Sequence, residues 1–371
     1  MIPGAVTLIA RDGDIVHLEA HGFLDDGKTR PMQTDSLFRA FSMTKPVVSV
    51  AAMMLVEEGR MSLRDPVETW LPELAEMSVV VAPDGNAGDG ELQTEPAKAD
   101  ITVYDLLRHT SGFTYSNSAP FKALGQAYLD ADVEAREGDL SPETFLERLA
   151  DIPLAYQPST RWEYGVSTDV LGVLVERVSG QRLDQFLEER IFSPLKMDES
   201  GFQLPEGAAD RLADAYDADP QKAGAWQWVR VEEDPGKRYR LGGAAMVTTA
   251  EDYFRFAQMM VNRGELDGVR LLSAQTVDHM LADHVAGLAG SPRPTTGPGY
   301  GFGLGFGVRL AEGGALAPGS QGDAMWAGAG GTSFTIDPQE RLVGVFMAAA
   351  PSPRQHTRFL FKTLLYGAMV E

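Results

Sequence analysis

Residues 41–59 read Phe-Ser-Met-Thr-Lys-Pro-Val-Val-Ser-Val-Ala-Ala-Met-Met-Leu-Val-Glu-Glu-Gly. From Pro46 to Val56 nearly every residue is apolar, too long a run for one strand and rich in Ala and Met, so it predicts a helix buried on all faces. Glu57-Glu58-Gly59 closes it. At its mouth stands Ser42-x-x-Lys45. A serine in the first helical turn lies among backbone N–H groups that lack an intrahelical acceptor, where a developing oxyanion is favoured. A lysine three residues on projects from the same face. Its partly desolvated amine can shed a proton and then take the one from the hydroxyl. Pro46 falls near the helix start, where a missing N–H costs least.

The pattern alone is not specific. It recurs as Ser193-Pro194-Leu195-Lys196, but at the end of a predicted helix, where the proline suggests a turn and no catalytic role is expected. Ser42 also fits an ordinary N-cap beside a solvated lysine. Two further segments bear on the choice. Residues 162–172 (Trp-Glu-Tyr-Gly-Val-Ser-Thr-Asp-Val-Leu-Gly) place Tyr164 in a loop just before a helix. Residues 326–338 (Trp-Ala-Gly-Ala-Gly-Gly-Thr-Ser-Phe-Thr-Ile-Asp-Pro) hold small residues that let a backbone approach a ligand at the start of a strand. Each alone also reads as structure, a plug in one case and a Gly-rich turn in the other.

Outward from these motifs, residues 5–22 hold two strand-like runs joined across Asp12-Gly13, a hairpin signal. Helices are expected at 103–109, 143–150, 169–179 and 182–191. Residues 82–100 read as a surface insertion rich in Gly, Pro and acids. Thr248 with Glu251 reads as a capping box opening a helix that stops near Gly264. A Gly/Pro loop (286–299), strand-like runs at 300–310, 331–337 and 341–350, and an amphipathic helix at about 353–369 complete the chain. Strands thus cluster at both termini with helices between. The order predicts an α/β (α+β) fold, its antiparallel sheet built from both chain ends and flanked by helices, with a mostly helical lobe inserted.

In this order and spacing the three motifs resemble the serine β-lactamase-like and penicillin-binding-protein superfamily, most of all its family VIII carboxylesterases, which are related to class C β-lactamases. Leu107-Arg108-His109-Thr110-Ser111-Gly112, Gly242-Gly243 and Tyr300-Gly301-Phe302-Gly303 add to the likeness, which spans nearly the whole chain. It implies a β-lactamase/transpeptidase-like fold with an α/β lobe at about 1–60 and 236–371 and a helical lobe at about 61–235. It implies Ser42 as nucleophile, Lys45 and Tyr164 as the pair that moves its proton, and the backbone N–H groups of Ser42 and Ala329 as the oxyanion hole. An ammonium beside a phenol favours the phenolate, so each makes the other a more accessible base.

The chain departs from the β-lactamase and peptidase pattern in recognition, not in acylation. Their usual Asn two residues after the motif Tyr is Val166 here, and the Lys or His heading the strand motif is Trp326. An amide and a cation that could hold polar, anionic substrates are replaced by apolar groups. The expectation is a serine carboxylesterase for neutral esters of short to medium acyl chains, with Trp326, Gly328, Val166, Tyr115 and Phe334 lining the substrate. A β-lactamase, a D-alanyl-D-alanine carboxypeptidase or aminopeptidase, or an acyltransferase would use the same Ser42 chemistry. A non-catalytic binding module commonly loses Ser, Lys or Tyr, and all three are kept. Relatives usually carry a helix before the first strand, whereas this sequence opens at the strand, which leaves two readings open: uncovered apolar surface that favours a homo-oligomer, or a truncated start.

Composition narrows the alternatives. The net charge of −21 disfavours a nucleic-acid partner, and no apolar run of membrane-spanning length exists. With no cysteine, disulfide and thiolate chemistry are excluded. The sequence has no G-x-S-x-G, and its six histidines form no H-E-x-x-H or tight cluster. His109 reads as a cap or core residue. The Gly-alternating stretch 300–307 has no following helix and is no dinucleotide fingerprint. No metal and no cofactor are expected, and a start without a basic, then apolar leader suggests a soluble, cytoplasmic protein.

Overall fold

The computed structural model describes residues 2–81, 92–134, 140–226, 242–311 and 313–369. Its centre is a seven-stranded antiparallel sheet of β1 (Gly4–Arg11), β2 (Asp14–Gly22), β3 (Tyr300–Phe302), β4 (Gly307–Arg309), β5 (Ala324–Ala327), β6 (Ser333–Asp337) and β7 (Leu342–Ala348), in the order β2-β1-β7-β6-β5-β4-β3. The two chain ends meet at its middle, where β1 pairs with β7 from Ala5↔Ala348 to Arg11↔Leu342. The hairpin forms at Asp12-Gly13, where both residues have positive φ (58° and 91°), as the tight turn between twisted strands requires. An antiparallel sheet built from both chain ends is thus what the sequence predicts.

Alternation along β7 puts a layer on each face. Val343, Val345 and Met347 join the main core with the helix Ala250–Val261, while Phe346 packs against Phe361 of the C-terminal helix at 5.4 Å between ring centroids. The other principal helices are α1 (Thr44–Glu57), α2 (Val103–Leu107), α3 (Pro142–Ala150) and α4 (Ser167–Ser179), followed by α5 (Ala250–Val261) and α6 (Arg354–Gly367). α1 is buried from Thr44 to Leu55 and packs on α4, as its all-round apolar sequence predicts.

Several local expectations are corrected. The run 300–310 is not one strand but β3 and β4, turned back at Gly303–Phe306. The four-residue β5, too short for a periodic signal, was not expected. The helix expected at 182–191 runs from Leu183, through a wider π-turn at Glu188–Phe192, to Leu195. Ser193 therefore lies in its last turn, not in a loop. Helices at Lys122–Asp130 and Ala274–Met280 were also missed. Thr249, not Thr248, caps α5 by accepting the Asp252 N–H at 3.1 Å, while Thr248 is held in a two-residue strand against Phe38. Of the insertion expected at 82–100, Thr94–Pro96 pairs with Ser78–Val80 just before it, and residues 82–91 lie outside the described residues. So does the expected lobe boundary near 235.

Asp252, in the first turn of α5, takes the Glu199 N–H and the Ser200 hydroxyl, each at 2.8 Å. Burial raises its carboxyl to about 6 against these hydrogen bonds. An acid whose folded pKa is raised contributes stability below its unfolded pKa of 3.8 and loses it as pH rises through about 6. The stability of wild type relative to Asp252→Asn should therefore fall by about 2–3 kcal/mol between pH 4 and pH 7 and then level off. Denaturant titrations at pH 4.5, 6 and 7.5 would show it; a difference independent of pH would refute it.

Candidate active site

Ser42 sits in a single 3₁₀ turn, Phe41–Met43, that feeds directly into α1. Phe41 before it is held at φ 48°, a left-handed conformation unusual for a bulky residue and one that strained site residues adopt. Neighbouring elements fix this turn. Ala40 N–H donates to Met246 O at 2.8 Å, Thr332 Oγ1 donates to Ala40 O at 3.1 Å, and the Tyr253 hydroxyl donates to Met43 O at 2.9 Å. The segment leading into α5, the Gly-rich β5–β6 turn and α5 itself thus converge on the serine.

Lys45, 1% exposed, points its Nζ at three oxygens: Gly243 O at 2.8 Å, Tyr115 OH at 2.9 Å and Ser42 Oγ at 3.5 Å. The carbonyl can only accept. Nζ donates to Gly243 O and to the Tyr115 phenol oxygen, and its third neighbour is the Ser42 hydroxyl. The Gly243 peptide is itself pinned, because its N–H donates to Asp169 Oδ1 at 3.0 Å. A Cβ there would lie 2.5 Å from Asp169 Oδ2, so any residue larger than glycine would push that carboxylate aside. Asp169 projects from the first turn of α4, five residues after Tyr164.

Burial raises the Asp169 carboxyl to about 6, opposed by the Lys45 charge and the Gly243 N–H. Burial, and then the charges of Asp169, Tyr164 and Glu134, push the Tyr115 phenol well up. Tyr115 thus stays a neutral hydroxyl against Lys45. His109, 1% exposed, is pushed well below its ordinary value by burial and by Lys45, and its neutral ring packs 5.0 Å from that of Tyr164. It is a core residue.

Tyr164 faces Lys45 through its ring, whose centroid lies 4.8 Å from Nζ. It is wedged between Trp162 (6.0 Å, stacked), Tyr115 (5.4 Å) and Trp326 (5.4 Å). Among the described residues its hydroxyl has no hydrogen-bond partner, and Tyr164 lines the same cleft as Ser42. The cleft measures about 540 Å³.

Of the sequence-selected residues, Ser42, Tyr115, Tyr164, Val166, Gly328 and Ala329 line this cleft. Two expected wall residues do not. Trp326 and Phe334 are cross-strand partners on β5 and β6 and share the core face of the sheet. Phe334 packs on Tyr253 and Phe306, and Trp326 supports Tyr164 from behind with its Nε1 buried and unpartnered. The second Ser-x-x-Lys is at the surface, where Ser193 donates to Glu188 and Lys196 lies 3.7 Å from Asp267. Among the described residues no three His, Asp or Glu side chains are grouped to hold a metal, and no helix is long and apolar enough to cross a membrane.

Sequence reading missed three contributors. Asp169 had a signal, as the one acid in the apolar start of α4. Arg354 and Arg358, which also line the cleft, had another: they stand four apart on α6, a helix without a single Asp or Glu.

The chain is 35% identical over 356 residues to Protein Rv1367c of Mycobacterium tuberculosis, covering 94% of this chain and 86% of that protein. It is 32% identical over 355 residues to Esterase EstB of Burkholderia gladioli, covering 90% and 82%. Among solved structures, EstCE1, described as a hydrolase with promiscuous acyltransferase activity, superposes with a TM-score of 0.80 at 26% identity over 99% of this chain and 94% of that one. The family model described as Beta-lactamase matches residues 1–364, and the chain belongs to that family.

Proposed function

We propose that this protein is a serine hydrolase, a carboxylesterase that forms an acyl-enzyme on Ser42 with esters of neutral, short to medium acyl groups. The observation carrying this reading is the environment of Lys45, whose amine has two fixed acceptors and Ser42 Oγ as its third neighbour. The similarity to Esterase EstB and to EstCE1 supports the same reaction class.

In this reaction Lys45 takes the Ser42 proton as Oγ attacks the ester carbonyl. The oxyanion that forms is held by the backbone N–H groups of Ser42 and Ala329, each such donor contributing about 2.7–4 kcal/mol. On collapse the C–O bond to the alcohol breaks, and the Tyr164 phenol gives its proton to the departing oxygen. The phenolate then takes a proton from water as that water attacks the acyl carbon. The second collapse frees the acid, and the Lys45 ammonium returns its proton to Ser42 Oγ. Tyr115, held neutral, and Gly243 O keep the amine in place through both halves.

Substrate choice follows from the cleft wall. Val166 offers no amide to a β-lactam side chain, and Trp326, buried behind Tyr164, brings no cation toward the cleft. p-Nitrophenyl butyrate should be turned over with a kcat/KM about 100-fold above that for nitrocefin. The opposite order would replace the esterase reading with that of a β-lactamase. Acyl transfer is favoured as a second reading by the similarity to EstCE1 and to acyltransferases such as mokF of Monascus pilosus; adding a primary alcohol acceptor and measuring new ester against free acid tests it.

A further inference from the structure

The turn that carries Ala329 rests on the residue before the nucleophile. Phe41 is 1% exposed, is held at φ 48°, and shares the cleft wall with Ser42, Gly328 and Ala329. A Cβ at Gly330 would lie 2.7 Å from Phe41 Cδ2 and 3.0 Å from its Cζ, and nearer still to Cε2, so its three nearest neighbours are all atoms of that ring. Gly330 is not among the glycines of positive φ, so its backbone would accept an alanine. The ring, not the conformation, calls for glycine there. Gly328 is pressed by the same segment: a Cβ would lie 2.5 Å from Ala40 O and 3.1 Å from Phe41 Cβ, besides meeting Thr332 Oγ1.

From its other side the turn is tied to the sheet. Gly328 N–H donates to Thr332 O at 2.8 Å and Ala350 N–H to Gly330 O at 2.7 Å, while the Thr332 hydroxyl donates to Ala40 O. Ala329 stands partly exposed between two buried glycines, and among the described residues its N–H has no acceptor. An oxyanion donor works only within about 2.7–3.1 Å of the oxygen it holds, so the height of this turn above Ser42 matters. A left-handed φ is costly for a phenylalanine and persists where the surroundings impose it. We propose that Phe41 is a positioning residue of the oxyanion hole: its ring is the spacer under Gly328–Gly330 and fixes the Ala329 N–H relative to the Ser42 N–H. It acts through the turn, not on the substrate. The inference rests on the acyl-enzyme reading, which makes these two N–H groups the oxyanion donors.

Gly330→Ala, Phe41→Leu and the double variant test it, with p-nitrophenyl butyrate as substrate and butaneboronic acid as ligand. Boron takes a lone pair of Ser42 Oγ as the hydroxyl proton passes to Lys45, and the tetrahedral anion places one of its oxygens where the oxyanion would be. Gly330→Ala presses a methyl onto the ring and should lower kcat about 30- to 100-fold, toward the loss of a donor removed outright. KM should stay within about threefold, as for an interaction made only in the transition state, and boronate affinity should fall by about the same factor as kcat. Phe41→Leu loosens the spacer and should cost about tenfold in kcat. In the Gly330→Ala background it should instead restore kcat about tenfold, because leucine has no Cε2 or Cζ to meet the new methyl. A merely structural contact would show that rescue in melting temperature alone, with kcat and boronate affinity unmoved. An unaffected kcat in Gly330→Ala, a loss carried by KM, or losses that multiply in the double variant would overturn the proposal. Should Phe41→Leu fail to fold, the kcat, KM and boronate measurements on Gly330→Ala still decide. A wild type inert to both ester and boronate would reject the acyl-enzyme reading and this inference with it, whereas an active wild type with unshifted variants overturns the inference alone.

Discussion

Ser42→Ala is expected to lower kcat/KM for p-nitrophenyl butyrate by about 10⁵-fold, leaving only what the oxyanion donors and substrate binding provide. The size follows from the chemistry. Without the hydroxyl there is no acyl-enzyme, and the Lys45 amine, buried to 1% exposure and directed at fixed acceptors, has no second nucleophile to activate. Ser193→Ala should stay within about twofold of wild type, because its hydroxyl is spent on Glu188 at the surface. Reversed sensitivities would end the assignment of Ser42. Trapping with a fluorophosphonate and mapping the labelled peptide gives an independent reading of the same atom.

Lys45→Met should cost about 10³- to 10⁴-fold in kcat/KM, the upper range for losing a positioned base. Methionine matches the length of the lysine stem and carries no charge into a site where burying one is unfavourable. The variant should therefore keep its melting temperature within about 4 °C of wild type, which separates lost chemistry from lost fold. The two tyrosines are distinguished in the same series. Tyr164→Phe removes the proton donor to the leaving oxygen and should approach the loss seen for Lys45→Met. Tyr115→Phe removes only an acceptor that holds the amine, at a cost of about 10-fold. Equal losses at both positions would mean that Tyr115 shares in the proton transfer, and a larger loss at Tyr115 would exchange the proposed roles.

Local signals carried much of this architecture. The Asp12-Gly13 turn, the all-apolar α1 and the strands near both termini were legible because turn chemistry and periodicity act over a few residues. Boundaries set by tertiary contact were not. Thr249 caps α5 in place of Thr248 because pairing with Phe38 keeps Thr248 in a strand. The run 300–310 looks continuous in sequence, yet it folds back because the chain turns at Gly305, φ 94°, against Ser49 of α1.

The site divides along the same line. Sequence by itself singled out the candidates: Ser42 and Lys45 from a Ser-x-x-Lys at the mouth of an apolar helix, and Tyr164 from the family resemblance that its motif helps to carry. Tertiary structure decided what surrounds them. It turned Trp326 and Phe334 into the core and set Tyr115 and Gly243 against the lysine, with Asp169 behind that glycine. It also carried two arginines from the last helix to a cleft whose serine lies more than three hundred residues earlier. The physical reason is range: propensity and spacing act along the chain, whereas burial, hydrogen-bond geometry and unpaired charge depend on which distant segments the packed core brings together.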